Sequence, residues 1–330
     1  MLNPDLKLNS KLFEKDVELK ATRMGFGEGL LALGGKNPNV VALCADLTES
    51  TCNHLFAQAY PDRYFQVGVA EQNLAAIAAG LGVSGKVAFM SSYATFSPGK
   101  NWETIRTTIV YNESNVKIAA HHAGIMTGPD GVTHQATEDI ASVRSWPNIK
   151  IFVPCDGIEG KKATVAAGEI FGPVYLRFSR DKTPVITTED TPFEIGKIQT
   201  FWITNKPVAT IFAMGYMLYY ALLAAKELEE EGVNVLVANA STIKPLDEET
   251  ILSLARQTRA FVSVEDHQVM GGLGGTLAEY TARTIPTPME FVGLQDTFAE
   301  SATTSELIEK YKMGKEDIKN AVKKVLQRKI

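Results

Sequence analysis

Short apolar segments rich in β-branched residues alternate with longer amphipathic segments through the first half of the chain. The short segments predict strands at Val40–Cys44, Tyr64–Val69, Lys86–Met90, Val116–His121, Ile149–Val153 and Val174–Phe178. The longer segments predict helices at Thr22–Lys36, Gln72–Leu81, Trp102–Tyr111, Thr137–Ser145 and Ile158–Phe171. This alternation is typical of a mostly parallel sheet with helices on both faces.

The same alternation returns in the second half of the chain, after a Thr- and Pro-rich stretch without helical spacing. This stretch predicts a linker at residues 186–206, so the predicted domains are residues 1–185 and 207–330. The second domain has predicted strands at Val208–Met214, Asn234–Ala238, Ala260–Val264 and Glu290–Val292. Its predicted helices are Leu218–Glu231, Glu248–Gln257, Leu277–Ile285 and the terminal stretch Ser305–Lys329. The predicted fold class is therefore α/β, with two consecutive domains and mostly parallel sheets.

Composition and charge narrow the classes of function. The net charge is −5, so no basic surface is predicted for nucleic acid or an anionic membrane. No apolar run has the length of a membrane span, and the first residues resemble neither a secretory signal nor a transit peptide. The three cysteines lack metal-ligand spacing and suggest reduced thiols, so we expect a cytoplasmic protein without a metal site of its own.

One acidic residue is predicted at the ligand edge of the first sheet. In the segment YFQVGVAEQN, a strand is followed by a turn and by a helix that opens near Glu71. Open α/β sheets bind their ligands beside the carboxyl ends of parallel strands, which is where Glu71 would lie. Acidic residues at helix starts also simply complement the helix dipole, and this segment alone leaves both interpretations open.

Aromatic residues follow the next predicted strand. Phe89, Tyr93, Phe96 and Trp102 occur within FMSSYATFSPGKNW, where the strand gives way to turn residues. Such rings could form a flat wall for a heterocycle, or they could be ordinary core residues.

A third candidate segment is the loop HHAGIMTGPDGVTHQATED, from His121 to Asp139. It contains three of the five histidines of the chain and follows another predicted strand. No pair of these side chains has the register of a metal site. Loops with several titratable groups commonly bind polar substrates and transfer protons, whereas solvated turn residues are the alternative interpretation.

Taken in order, these three segments resemble the second half of transketolases and, more distantly, of 1-deoxyxylulose-5-phosphate synthases. The sharpest matches are GVAEQN, the aromatic stretch after it and GPDGVTHQATED. The resemblance identifies residues 1–185 with a pyrimidine-binding domain and residues 207–330 with a transketolase C-terminal domain.

The resemblance also implies roles for the cofactor-binding residues. Glu71 would hydrogen-bond the pyrimidine ring of thiamine diphosphate and so activate the cofactor. Phe89, Tyr93 and Phe96 would provide the aromatic platform for that ring, and Asp46 in ADLTES falls on a family motif near the cofactor.

The substrate residues implied by the resemblance lie in three loops. His122 and His134 would handle hydroxyl protons, and Asp130 would accept a hydrogen bond from a sugar hydroxyl. Ser50 and Arg180 resemble residues that bind the sugar phosphate, for which a guanidinium is well shaped.

One family motif is missing from this sequence. Full-length relatives carry a GDG…N motif that holds Mg²⁺ and the diphosphate, whereas the PDG of this chain lies in the histidine loop. We therefore expect a split transketolase, in which an N-terminal subunit supplies that motif and the assembly is a heterotetramer. The expected reaction transfers a two-carbon ketol unit between sugar phosphates, as in pentose phosphate metabolism.

Other functions fit part of this pattern. A split ketol-transfer enzyme for an unusual sugar, or a 1-deoxyxylulose-5-phosphate synthase-like enzyme, would use the same mechanism. The β subunit of a 2-oxoacid dehydrogenase has a similar architecture but lacks the histidine and aspartate loop. A non-catalytic regulatory subunit is the alternative from a different class, and Glu71 and the intact loop argue against it.

Overall fold

The elements of the first half follow the predicted alternation closely. The computed structural model describes residues 1–329. The strands are β1 (Leu19–Ala21), β2 (Val40–Cys44), β3 (Tyr64–Gln66), β4 (Val87–Tyr93), β5 (Val116–His121), β6 (Lys150–Phe152), β7 (Val174–Arg177) and β8 (Lys182–Pro184). The helices are α1 (Thr22–Lys36), α2 (His54–Ala59), α3 (Glu71–Val83), α4 (Trp102–Thr104), α5 (Asp139–Val143) and α6 (Gly157–Glu169). Short 3-10 helices occur at Pro4–Leu6, Pro61–Arg63 and Ile125–Asp130, and the predicted helix after Trp102 continues mainly as a π-helix, Ile105–Val110.

The second half forms a second α/β unit, which confirms the predicted fold class. Its strands are β9 (Gln199–Trp202), β10 (Ala209–Ala213), β11 (Val235–Asn239), β12 (Thr242–Lys244), β13 (Phe261–Gln268) and β14 (Met289–Leu294). Its helices are α7 (Met217–Glu230), α8 (Glu248–Thr258), α9 (Leu273–Arg283), α10 (Thr304–Lys310) and α11 (Lys315–Gln327). Within residues 1–329, no helix combines the length and the apolar character that crossing a membrane requires.

The two large sheets are mostly parallel. The first has seven strands in the order β12-β6-β7-β5-β4-β2-β3, and only its edge strand β12 runs antiparallel to its neighbour. The second has the order β14-β13-β10-β11-β9, and only β9 is antiparallel. Because β2, β4, β5 and β7 run in one direction, the loops that follow them meet at one edge of the first sheet.

The segment predicted as a linker is partly built into the second sheet. Its β9 pairs with β11, and Phe201 within it is fully buried. In addition, β12 of the second half pairs with β6 of the first sheet, and Leu12 near the N-terminus lies in the core of the second domain. The Thr- and Pro-rich composition concealed a short edge strand, so the two domains are joined by shared strands and core as well as by a connecting segment.

Close helix packing on the outer face of the first sheet depends on glycine. A Cβ on Gly25 of α1 would lie 1.9 Å from the carbonyl oxygen of Gly157 at the start of α6. Only a residue without a side chain lets these backbones approach so closely. Below these helices, Phe26, Phe89 and Phe178 form a fully buried core against the sheet.

Candidate active site

Glu71 is the first residue of α3, and its carboxylate is buried beside a lysine. The residue is 2% exposed. The Nζ of Lys100 donates to one carboxylate oxygen at 2.7 Å, whereas Ser92 Oγ lies 3.5 Å from the other. The side chain of Asn101 donates to the Glu71 carbonyl at 2.9 Å, which ties the helix start to the turn after β4. A buried carboxylate needs such partners, and the arrangement leaves one oxygen with only a weak hydrogen bond.

Two aromatic rings lie at the end of β4, next to the histidine loop. Tyr93 and Phe96 are nearly parallel, with ring centroids 6.0 Å apart at an angle of 16°. The His122 ring stacks on Tyr93 with a centroid distance of 3.9 Å, and the His134 ring meets Phe96 edge-on at 5.4 Å. The aromatic segment and the histidine loop, which are separate in the sequence, therefore form one wall.

The prediction that Phe89 belongs to the aromatic platform is wrong. Phe89 lies in the middle of β4, is fully buried and packs on Phe26 with centroids 6.2 Å apart. Its side chain points into the core between the sheet and the outer helices, where no ligand reaches it. The strand becomes accessible only at its end, so Tyr93 and Phe96 are the ring-bearing candidates that remain.

His122 is held in its neutral form. Burial lowers the pKa of His122 to about 3, and the positive charges of Arg23 and Arg180 and the neighbouring His134 add to this effect. A neutral imidazole offers one donor and one acceptor nitrogen. The Nδ1 of His122 is buried without a hydrogen-bond partner among the described residues.

Two arginines and Ser50 meet where β2 and β7 end. Arg23 in the first turn of α1 donates to the carbonyl of Ser50 at 2.7 Å and to the carbonyl of Arg180 at 2.9 Å. Arg180 in turn donates to the carbonyl of Thr127 in the histidine loop at 3.0 Å. Two guanidinium groups at one corner favour an anion such as a phosphate.

Two other predicted site residues lie on the surface of the chain. Asp46 follows β2, is exposed and has a positive φ of 60°, and its backbone N–H donates to the Gln66 side chain at 2.6 Å. Asp130 is exposed at the end of the 3-10 helix in the histidine loop. Both residues are therefore accessible from outside the chain.

Arg23 and Lys100 also lie in the candidate site, although the sequence did not predict them as site residues. Arg23 lies in a glycine-rich helix with no motif around it, and its role becomes visible only when the ends of β2 and β7 are neighbours. Lys100 lies in a turn, within the aromatic stretch that the sequence did single out. The one available signal was a lysine among turn residues directly after those rings.

The protein defined by this fold and site is an α/β subunit with a buried carboxylate, an aromatic wall and a cationic corner at one sheet edge. Residues 18–185 match the transketolase pyrimidine binding domain, and residues 203–318 match the transketolase C-terminal domain. The chain belongs to the transketolase family. This confirms the predicted family and the predicted class, a transketolase-type transferase.

Three relatives show which form of the family the chain is similar to. A putative transketolase C-terminal section of Methanocaldococcus jannaschii is 41% identical over 91% of this chain and 94% of its own length. A 6-deoxy-6-sulfo-D-fructose transketolase subunit of Clostridium sp. (strain MSTE9) is 34% identical over 96% and 98%. A split gene transketolase, solved as an inactive beta4 tetramer, has 43% identity and a TM-score of 0.88 over 94% of this chain and all of that chain.

Proposed function

We propose that the chain is the C-terminal subunit of a split, thiamine-diphosphate-dependent transketolase that transfers a two-carbon ketol unit between sugar phosphates. The observation that carries this proposal is the meeting of Glu71, the Tyr93 and Phe96 rings and His122 at one sheet edge. The free cysteines support a place in the reducing cytosol.

The residues of this site fit the pyrimidine end of the cofactor. The weakly bonded carboxylate oxygen of Glu71 would hydrogen-bond a ring nitrogen, and Tyr93 and Phe96 would flank the ring, with Asp46 near the edge. When bound, thiamine diphosphate supplies a nucleophilic carbon and an electron sink for the transferred fragment. His122, which is held neutral, and His134 would exchange protons with sugar hydroxyls, and Asp130 would accept a hydrogen bond from one of them.

The diphosphate end requires a second chain in this proposal. Residues 1–329 contain no group of three or more His, Cys, Asp or Glu side chains placed to hold a metal ion. The N-terminal subunit, with its GDG…N motif, would hold Mg²⁺ and the diphosphate. Several elements near Glu71 in the chain carry exposed large apolar side chains, which suit such an interface: Phe65, Val69, Ile77, Val83, Trp102 and Tyr111.

Reconstitution tests this proposal. We expect the chain alone to bind little thiamine diphosphate, and a mixture with the N-terminal subunit to bind it and catalyse ketol transfer in the presence of Mg²⁺. Calorimetric titration and a coupled assay with a five-carbon ketose phosphate and a five-carbon aldose phosphate measure the two effects. Full activity of the chain alone contradicts the split enzyme, and a mixture that binds cofactor without turnover supports the regulatory alternative.

The cationic corner makes a separate prediction about the substrate. Replacing Arg180 with Met removes a charge-assisted donor, so we expect KM for the phosphorylated donor to rise about 10- to 100-fold. The same variant should bind an unphosphorylated sugar of equal length nearly as well as the wild type does, which serves as the internal control. If KM rises equally for both sugars, Arg180 does not bind the phosphate as proposed.

The identity of the anionic group is tested in the same assay. One relative is named for a sulfonated fructose, and a sulfonate presents oxygens to arginine much as a phosphate does. A kcat/KM that is higher for the sulfonated sugar than for the phosphorylated one would identify the enzyme for an unusual sugar.

A further inference from the structure

Both ends of the histidine loop are held by the C-terminal domain. At the first end, the backbone N–H of Ile125 donates to Oδ1 of Asp266, on β13, at 2.9 Å. At the second end, the backbone N–H of Gln268 donates to the carbonyl of Thr137 at 2.7 Å. The loop between these contacts carries Asp130 and His134. It is closed by a hydrogen bond from the N–H of Gly124 to the carbonyl of Ala136 at 2.7 Å.

The backbone of the histidine loop packs directly against the carboxylate of Asp266. The residue is 2% exposed. A Cβ on Gly124 would lie 1.9 Å from Oδ2 of Asp266, and Gly124 has a φ of 77°. Only glycine combines that φ with that absence of a side chain, so the loop backbone passes directly under the carboxylate. Arg177 donates to the carbonyls of Asp266 and Ala136 at 2.8 and 3.1 Å and so links the strand of Asp266 to the second end of the loop.

A displacement of the loop at Ile125 would also move His122 and Arg180, because Thr127 is hydrogen-bonded to both residues. The hydroxyl of Thr127 donates to the carbonyl of His122 at 2.6 Å and to the carbonyl of Gly124 at 3.0 Å. The carbonyl of Thr127 accepts the hydrogen bond from Arg180. The 3-10 turn that starts at Ile125 therefore sets the positions of His122 and Arg180 together.

We propose that Asp266 is a positioning residue for ketol transfer: the C-terminal domain fixes the substrate loop through this carboxylate. The inference rests on the proposed function, because it assigns the loop to the substrate. Asp266 acts through the backbone of Ile125. Its loss should therefore affect the substrate loop and leave the Glu71 side of the site unchanged.

The first test needs no activity and uses hydrogen exchange on the whole chain. Asp266→Ala leaves the Ile125 N–H without an acceptor, so we expect exchange in residues 122–137 to be about tenfold faster or more. Asp266→Asn keeps an acceptor oxygen and should restore most of the protection. Asp247→Ala is the matched control, because Asp247 is 4% exposed and accepts the N–H of Ile198 at 2.9 Å in the same domain, away from the loop. Unchanged exchange in the loop of Asp266→Ala overturns the inference, whether or not the assembly is active.

The second test measures kinetics in the assembly with the N-terminal subunit. We expect Asp266→Ala to lower kcat/KM for the sugars about 10- to 100-fold, because small displacements of positioned groups have effects of that size. The thiamine diphosphate concentration for half-saturation should stay within about threefold of the wild type. Kinetic constants equal to those of Asp247→Ala, or a parallel loss of cofactor affinity, contradict the positioning role. An inactive wild-type assembly contradicts the proposed function instead.

Discussion

Replacing Glu71 with Gln is expected to lower ketol transfer about 100- to 10,000-fold, the range typical of a residue that shares a proton in the reaction. Gln has the shape of Glu but cannot hold the proton shared with the cofactor ring. The variant should fold and should associate with the N-terminal subunit, because Glu71 is buried inside its own chain. Single-turnover kinetics on the reconstituted assembly measure the chemical step separately from binding.

The control for this experiment lies in the next helix. Glu103 is exposed in α4 and bonds only Thr107 of the adjoining π-helix among the described residues, so Glu103→Gln makes the same chemical change outside the buried site. We expect that variant to turn over like the wild type. Normal turnover by Glu71→Gln would show that the mechanism assigned to this carboxylate is wrong.

The largest effect on stability is expected from Arg177→Met. The Nε of Arg177 donates to Asp139 at 2.8 Å, the hydroxyl of Tyr175 donates to the same carboxylate at 2.7 Å, and both charged residues are almost fully buried. Removing the guanidinium leaves Asp139 as a buried charge with its cation gone. Such changes destabilise proteins by about 3–5 kcal/mol. Urea unfolding of the chain, followed by circular dichroism, measures the change in free energy of unfolding.

The effect of Arg177→Met should also depend on pH. Burial raises the pKa of Asp139, but the charges of Arg177 and His267 and the hydrogen bonds from Arg177 and Tyr175 together outweigh it and bring the pKa below the usual 3.8. A group whose pKa is lowered on folding stabilises the protein above its unfolded pKa and loses that contribution as the pH falls. The difference in the free energy of unfolding between the wild type and Arg177→Met should therefore become smaller below a pH of about 4.

A surface arginine provides the comparison. Arg328 pairs with Glu290 at 2.6 Å, but its side chain is 55% exposed. Exposed pairs contribute about 0–1 kcal/mol, so Arg328→Met should change the free energy of unfolding little. Equal losses in the two variants would show that burial of the Asp139 pair does not set its contribution.

Local patterns were sufficient for the elements and for the family. The bounds of α1, β2 and β5 agree with those predicted, and a continuous apolar run marks each of the two strands. The linker prediction at residues 186–206 missed β9, since an edge strand needs few apolar residues and its partner β11 lies far along the chain. The pairing of β12 with β6 could not be predicted either, because these two strands also lie far apart in the chain.

For the candidate site, too, the sequence determined one part and the tertiary structure the other. The sequence by itself determined which segments are candidates for the site, because Glu71, Tyr93, Phe96, His122 and Arg180 each lie in a short motif next to a strand end. The strand order decided which of these side chains meet. Phe89 is excluded from the site because its side chain lies in the core. Arg23 and Lys100 belong to the candidate site because the fold places them beside Ser50 and Glu71. Contacts between segments far apart in the chain leave no local period, so only the tertiary structure could show that Asp266 of the second domain holds the loop of the first.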